Sequence, residues 1–442
     1  MTAKAMHSWG RYPYFPQSIC AVNWRDELAP ALAALTAQYK TTLPYGNGRS
    51  YGDSCLAASD RLLQTRNLNR FISADWNNGI ICAEAGITLE EILRVCVPRG
   101  WFLPVTPGTK FVTLGGAVAN DVHGKNHHVR GTLGSHLRRF GLLRSDRGLL
   151  ECSARENADL FAATIGGLGL TGILVWVELQ LLPIASSRIE ASNWRFDNLD
   201  EFFALSDQHD HQHEYSVAWI DCLASGQALG RGHLTFGDHA DSGILEWPAR
   251  RKLMMPFTPP LSLVNTVSLR SFNFLYYHRQ RERVQKQQSD CDSFFYPLDA
   301  IAHWNRLYGP RGFQQYQCVV PTAAARAAMP ELLRAIAAQN AGSFLAVLKR
   351  CGDKPSPGLL SFPMAGISLA LDFPQRETIN AQLFERLDAI VRECGGRLYP
   401  AKDAHMSGAD FRNAYPQWQR VEALRDPALM SRFWQRVTGG VC

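Results

Sequence analysis

The sequence predicts an α+β protein of two domains, and three observations carry that expectation. The chain has 442 residues, 46% of them hydrophobic and 19% charged, a globular composition too long for one ordinary core. Two glycine-rich polar loops, 43–53 and 104–128, sit beside β-branched runs, where backbone amides can turn inward and approach a ligand closely. Strand, loop and helix alternate up to about Leu182, and a second set of strands and helices follows.

Taken in order, residues 26–39 carry helix formers with leucines at helical spacing, which predicts a helix. Thr41-Thr42-Leu43 reads as a short strand entering the first glycine loop. Gly79 to Gly86 reads as a strand closed by glycine. Thr88 to Leu93 opens a helix, with Thr88 as N-cap and Glu91 completing a capping box. Asn157–Ile165 is helical in pattern and Ile173–Leu182 is strand-like. Further on, Ser216–Ile220 and Ser368–Leu371 read as strands, and Ala323–Gln339 and Ile379–Cys394 as helices. The irregular segment 246–290 has four prolines followed by an aromatic-basic run, Phe272 to Arg283. That run reads as a helix packed on the core. A mobile lid over an anionic or lipidic substrate is the sharper alternative.

Several function classes are excluded. A net charge of +6 with no basic block argues against nucleic acid. The eleven cysteines form no CxxC pair and no zinc spacing, so reduced and mostly buried thiols are expected. The stretch Met1–Arg11 has no apolar core, and the best apolar run, Ile173–Val177, is cut by Glu178, far short of the roughly 18 residues of a spanning helix. No signal peptide or transmembrane helix is expected, and a cytoplasmic location follows. Gly167–Gly172 matches GxGxxG, but it follows a helical pattern and leads into a strand, the reverse of a dinucleotide fingerprint. His209–Glu214 reads as a polar loop and no metal site is expected. His123, His127 and His128 share the second glycine loop with Lys125. One of the three is placed to face a ligand, with surface or supporting roles expected for His127 and His128. There is no GxSxG and no Walker loop.

A set of motifs spans nearly the whole chain: Ser8-Trp9-Gly10-Arg11, Gly48 to Asp53, Pro104 to Gly108 through Gly115-Gly116 to His128, and Ala163 to Gly172. Tyr215 to Trp219, Tyr308-Gly309-Pro310, Gln315-Tyr316-Gln317 and Gly395 to Asp403 complete it. Together they resemble the FAD-linked oxidases of the vanillyl-alcohol oxidase type, and within them the branch that oxidises polyprenyl-phosphoryl pentoses. The segment around His123 is the most specific.

The resemblance implies a PCMH-type FAD-binding fold. Residues 1–186 would form the FAD domain, 187–396 a substrate domain whose sheet covers the flavin, and 397–442 a return to the FAD domain. FAD would be held non-covalently, because relatives with covalent flavin usually carry histidine where Arg49 stands. Arg49 is then free for a phosphate or structural role. The implied cofactor contacts are Gly46, Asn47, Gly48, Arg49, Ser50, Tyr51 and Gly52 in the first loop. In the second they are Pro107, Gly108, Thr109, Leu114, Gly115, Gly116, Ala119, Asn120, His123, Gly124 and Asn126. Gly172, Ile173 and Lys402 follow. The substrate would meet Lys125, Trp219, Gln315, Gln317 and Lys349.

The implied reaction takes the 2′-hydroxyl of a polyprenyl-phosphoryl pentose to a ketone by hydride transfer to flavin N5. It would be the first half of an epimerisation toward an arabinose donor, completed by an NAD-dependent reductase partner, with peripheral membrane contact allowed. Lys402, Tyr51 and His123 are the catalytic candidates. As a base, Lys402 would need its pKa lowered about three units from ~10.4. The cheaper role is a charged lysine stabilising the anionic reduced flavin, with Tyr51 or His123 in the proton path. One segment departs from the branch pattern: Ile367-Ser368-Leu369-Ala370 stands where its mycobacterial members have Trp-Asn-x-Cys. Two alternatives stay open, an oxidase of free alditols or aldonolactones and a non-enzymatic flavin-binding module.

Overall fold

The structure, a computed structural model, describes residues 6–248 and 253–439. Residues 1–5, part of the irregular segment (249–252) and the last three residues with Cys442 lie outside those residues. Ser18–Ala21, Arg61–Gln64 and Leu43–Tyr45 form a parallel sheet with Arg61–Gln64 in the centre. Phe71–Asp75, Ile80–Glu84, Ile173–Gln180, Leu137–Arg144 and Gly148–Ser153 form an antiparallel sheet in that order. The first helix, Leu28–Tyr39, buries Leu28, Leu32 and Leu35, an i, i+4, i+7 stripe that faces the core. The capping box forms: Thr88 Oγ1 accepts the Glu91 amide at 3.3 Å, and Glu91 accepts the Thr88 amide at 2.7 Å. It opens the helix Leu89–Cys96.

A third sheet has eight antiparallel strands. Their order is Val284–Asp290, Arg188–Phe196, Gly232–His239, Tyr215–Ile220, Val347–Cys351, Gly366–Pro374, Phe313–Pro321 and Arg397–Leu398. Side chains alternate between its faces. Tyr316, Cys318, Leu348, Leu369 and Leu371 point to a core shared with the helices Leu199–His209, Thr322–Ala338 and Glu377–Glu393. Their neighbours Gln315, Gln317, Lys349, Ala370 and Asp372 point to a cavity on the other face. A polar-apolar alternation in strands with one face in the core is thus the sequence record of that cavity wall.

Three boundaries differ from expectation for local reasons. The strand expected at 41–43 is Leu43–Tyr45, because Thr42 pairs instead with the returning carboxy-terminal chain, donating to Ala428 O at 2.8 Å and accepting from the Met430 amide at 3.0 Å. The aromatic-basic helix starts early, at Thr266, because Asn265 Oδ1 caps the Val267 and Ser268 amides. It stops at His278 rather than Arg283, where Gln280 Nε2 ties the Asn193, Glu282 and Arg283 carbonyls and the chain turns into the edge strand Val284–Asp290.

The carboxy-terminal stretch closes on the start of the chain. Arg436 pairs with Asp53 at 2.9 Å and Asp403 at 2.8 Å, and Arg432 with Asp60 at 2.8 Å. Gly52 lies so near that a Cβ there would stand 1.6 Å from the Asp403 carbonyl oxygen. Among the described residues every cysteine is a free thiol, seven buried and three half-buried, and no helix is long and apolar enough to cross a membrane.

Candidate active site

A cavity of about 810 Å³ lies between the two glycine loops and the eight-stranded sheet, within the usual size of a cofactor or substrate site. Its two walls are built differently.

The first wall is mainly backbone. Residues 46–52 leave the carboxy-terminal end of the parallel strand Leu43–Tyr45. Among the described residues, the amides of Gly46, Asn47, Gly48, Arg49 and Ser50 donate to no protein acceptor. A row of unpaired N–H groups lining a cavity is a ready anion cradle. Gly48 has φ +57°, and a Cβ there would sit 1.9 Å from Tyr45 Oη. Asn47 Nδ2 ties this loop to the second by donating to Phe111 O at 2.7 Å. Beside Gly108 no atom lies within 4 Å of where a Cβ would project, so its backbone borders open space. Asp299 fixes this second loop, accepting from the Thr109 hydroxyl and the Lys110 amide, each at 2.8 Å.

Arg49 stacks over Trp9 at 4.1 Å from the ring centroid, with Phe111 at 5.3 Å, which accounts for the structural half of its expected role. Burial lowers its pKa and Asp299 resists that shift. Its buried Nε has no protein partner.

The second wall is made of side chains. Lys402 Nζ lies 3.7 Å from the Tyr51 ring centroid. Burial drives the Lys402 pKa down, while Asp372 favours the ammonium. Burial likewise raises Asp372, with Gln315 and Lys402 opposing it. Gln315 Nε2 donates to Asp372 Oδ1 at 2.6 Å and its side chain also bonds Tyr51, whose phenol pKa burial raises well above its ordinary value. Lys402, Tyr51, Gln315 and Asp372 are therefore one connected group.

Beside it, His123 Nε2 meets the Gln317 amide at 3.2 Å. Burial, with Lys349 next, pulls the His123 pKa far down, so the ring is neutral. Lys349 Nζ donates to the Gly124 carbonyl at 3.0 Å and Lys125 Nζ to the Phe294 carbonyl at 2.5 Å. Burial and then Lys349 pull the Lys125 ammonium down to about 7.

Nearly every residue expected at the site borders this cavity, including Thr109, Gly115, Gly116, Ala119, Asn120, Gly172 and Trp219. Four do not. Gly52 backs onto Asp403. Leu114 and Ile173 are buried in apolar cores. Asn126 donates from Nδ2 to the Pro104 carbonyl at 2.8 Å and to Glu214 at 3.0 Å. These four support the loops from behind.

His127 is not at the surface: it is buried, and its Nδ1 accepts the Gly352 amide at 3.1 Å. Of the polar cluster at 209–214, His213 bonds Asp238 at 2.6 Å and Glu214 pairs with Arg130 at 2.8 Å. The glycine run 167–172 follows the helix Ala158–Thr164 and enters the strand Ile173–Gln180, and Gly169 and Gly172 reach the cavity edge.

Sequence reasoning passed over Asp372, Asp299 and the polar strip Asn193, Thr235, Gln287 and Ser289 on the same wall. Asp372 had a signal, being the sole charged residue of the strand Gly366–Pro374, whose one other polar side chain is Ser368. Asp299 had none, since its partners are 190 residues away.

Unpaired amides, a glycine face open to the cavity and a facing wall of titratable side chains make a site suited to an anionic cofactor set against a reacting substrate. The family of FAD binding domains matches residues 16–153. The chain is 33% identical over 441 residues to decaprenylphosphoryl-β-D-ribose oxidase of Mycolicibacterium smegmatis, an alignment covering 96% of this chain and 95% of that protein. A Streptomyces coelicolor protein is 33% identical over 358 residues, 77% of this chain and 96% of its own. Mouse L-gulonolactone oxidase is 29% identical over 188 residues, 41% of this chain and 42% of its own. The chain belongs to the FAD-linked oxidases. It is an FAD-dependent oxidoreductase acting on a small molecule.

Proposed function

We propose that this enzyme oxidises the 2′-hydroxyl of a polyprenyl-phosphoryl pentose of the decaprenylphosphoryl-ribose type to the 2-keto sugar. The observation that carries this reading is the pair Lys125 and Lys349. Both line the cavity wall beside His123 as half-buried residues whose ammonium groups are desolvated; Lys349 is held by the Gly124 carbonyl, and Lys125 by the Phe294 carbonyl and the face of the Phe294 ring, with no carboxylate on either. A buried cation without a counter-charge is costly, and a phosphate monoanion or diester in the cavity would relieve both. A free alditol or aldonolactone would leave the two uncompensated.

The first-wall amides of 46–50 and the glycines at 108, 115 and 116 would hold the FAD, without a covalent bond, since Arg49 occupies the loop where a linking histidine would stand. Bound there, FAD supplies the acceptor for the hydride of a carbinol C–H. The residues supply position and charge. Gln315 and Gln317 orient sugar hydroxyls. Tyr51, which keeps its proton, donates to the reacting oxygen. Neutral His123 takes the hydroxyl proton at Nδ1, its ring atom without a protein partner, a role that requires the Gln317 amide turned so that its Oε1 accepts from Nε2–H. Lys402 acts as a cation, favoured by the Tyr51 face and by Asp372.

On this reading residues 1–186 and 397–442 make a PCMH-type FAD domain and 187–396 the substrate domain whose sheet covers the flavin. The Arg436 clasp on Asp53 and Asp403 supports that division. A 2-keto product calls for a reductase to complete an epimerisation toward an arabinose donor, which we place as the partner activity. Anaerobic titration tests the proposal: polyprenyl-phosphoryl ribose should bleach the visible band of oxidised flavin, with free ribose, an alditol and an aldonolactone inert. Bleaching by a free polyol with the lipid sugar inert would overturn it.

A further inference from the structure

The exposed apolar surface is gathered in one segment. Of sixteen large apolar side chains exposed among the described residues, nine lie between Leu253 and Leu275. Half of this segment is a strap, 253–263, fixed along 301–307. Leu253–Met254 pairs with Ile301–Ala302, the Leu263 amide donates to Leu307 O at 2.9 Å, and Arg306 donates to the Met255 and Pro256 carbonyls. With its backbone so held, Leu253, Phe257 and Leu261 stand outward, 71%, 62% and 78% exposed. The other half is the helix Thr266–His278. It buries Leu269, Asn273 and Tyr277, so the opposite face carries Val267, Phe274 and Leu275 into solvent with Arg270 and His278. An outward apolar face on a helix already packed by its inner face needs a partner.

The charge says which partner. From Leu253 through Arg281 there is no Asp or Glu, while Arg270, Arg279 and Arg281 are all present. A second copy meeting this face isologously would set those guanidiniums against one another. An apolar face edged by cations and free of carboxylates complements a bilayer with anionic headgroups. The helix is also the cavity's neighbour: Tyr276 and Arg279 line the cavity, and the Tyr276 ring lies 4.5 Å from Trp219.

We infer that 253–281 is a docking face for an anionic lipid bilayer and that the polyprenyl-phosphoryl substrate passes from the membrane past Tyr276 into the cavity. The second half of this statement rests on the proposed function. The full FAD-loaded chain is mixed with phosphatidylcholine vesicles, with or without phosphatidylglycerol, and separated by flotation. The protein should float with the phosphatidylglycerol vesicles and less so as salt is raised. The double variant Leu261→Asp, Phe274→Asp should lower partition at least about tenfold. Both positions are solvent-exposed, so its flavin spectrum and its flavin reduction by detergent-solubilised substrate should not change.

A wild type that fails to float, or a variant that floats equally, overturns the docking face while leaving the substrate reading intact. So does a concentration-dependent dimer that the variant abolishes, which would assign the face to a second copy. Flotation as expected with no flavin reduction by the lipid sugar in detergent removes the substrate reading and leaves the docking face standing.

Discussion

The two walls of the cavity face the same space and are made of different material. One is main chain: the amides of 46–50, with Gly46 and Gly48 packed too closely on Thr113 and Tyr45 to carry a side chain and Gly108 facing open space. The other is side chains standing on a rigid sheet: Gln315, Gln317, Lys349, Asp372, with Lys402 and His123 at the seam. A backbone wall recognises a ligand by shape and by dipoles fixed in place, and any added carbon damages it. A side-chain wall recognises charge and moves protons, and its chemistry can be edited one residue at a time. The difference predicts that variants on the second wall change rate and substrate affinity with FAD retained, whereas variants on the first lose FAD.

The largest effect is expected at the seam. Lys402→Ala should slow anaerobic flavin reduction by about 10²–10³, the usual cost of removing a positioned charge from a transition state, with the flavin still bound after gel filtration. Loss of flavin in step with the rate would make Lys402 part of the cofactor wall and break the division. Next comes Gly48→Ala. Its φ of +57° and the Tyr45 hydroxyl 1.9 Å from the new Cβ, itself donating to His7 O at 3.1 Å, leave no cheap relaxation. If the free loop relieves about 3 kcal/mol of strain and overlap by leaving the FAD-competent conformation, FAD affinity falls roughly a hundredfold, read by fluorescence titration of apoprotein with FAD.

The substrate wall has its own signature in pH. With its pKa held near 7 by burial and Lys349, Lys125 is charged below that pH in the free enzyme and neutral above it. Affinity for a phosphorylated substrate should therefore be full on the acid side and fall as pH rises above about 7. Lys125→Met should raise KM for that substrate about tenfold, one charge-assisted contact, and flatten the profile. It should leave a non-phosphorylated analogue unaffected. A Met variant that keeps the wild-type pH profile would move the phosphate elsewhere on the wall.

The same contrast explains what could be read from the sequence. The backbone wall was legible because glycine is the one residue that leaves amides and φ > 0 accessible, so Gly46, Gly48 and Gly108 mark it directly. The capping box at Thr88 and Glu91 was legible for the same local reason. The side-chain wall was legible only where a resemblance supplied Lys402 or Gln317. Asp372 had just its oddity as the one charge in a mostly apolar strand, and Asp299 reaches the loop at Thr109 through tertiary structure alone. For His127 the sequence left a surface and a supporting role open, because a polar residue in a polar loop carries no mark of the Gly352 amide that it holds from a buried position. The helix Thr266–His278 was read as core packing, and its inner face is that. Its outer face could be recognised only once the buried stripe Leu269, Asn273, Tyr277 was known.

The smallest expected effect makes the sharpest comparison. Ala370 stands opposite Gln317 across the sheet, lines the cavity and is only half-buried. Ala370→Cys adds one sulfur to the side-chain wall, pointing into the cavity along a strand whose backbone is fixed by bonds on both edges. Since the new atom displaces solvent rather than protein, turnover should change less than about threefold and FAD affinity not at all. Gly48→Ala adds a single carbon to the opposite wall and should cost about a hundredfold. Measuring both variants in one preparation, by FAD titration and by single-turnover flavin reduction, sets equal perturbations of the two walls side by side. If the two variants lose FAD equally, the walls are not separate recognition surfaces but one continuous binding site, and the assignment of chemistry to one and cofactor to the other fails.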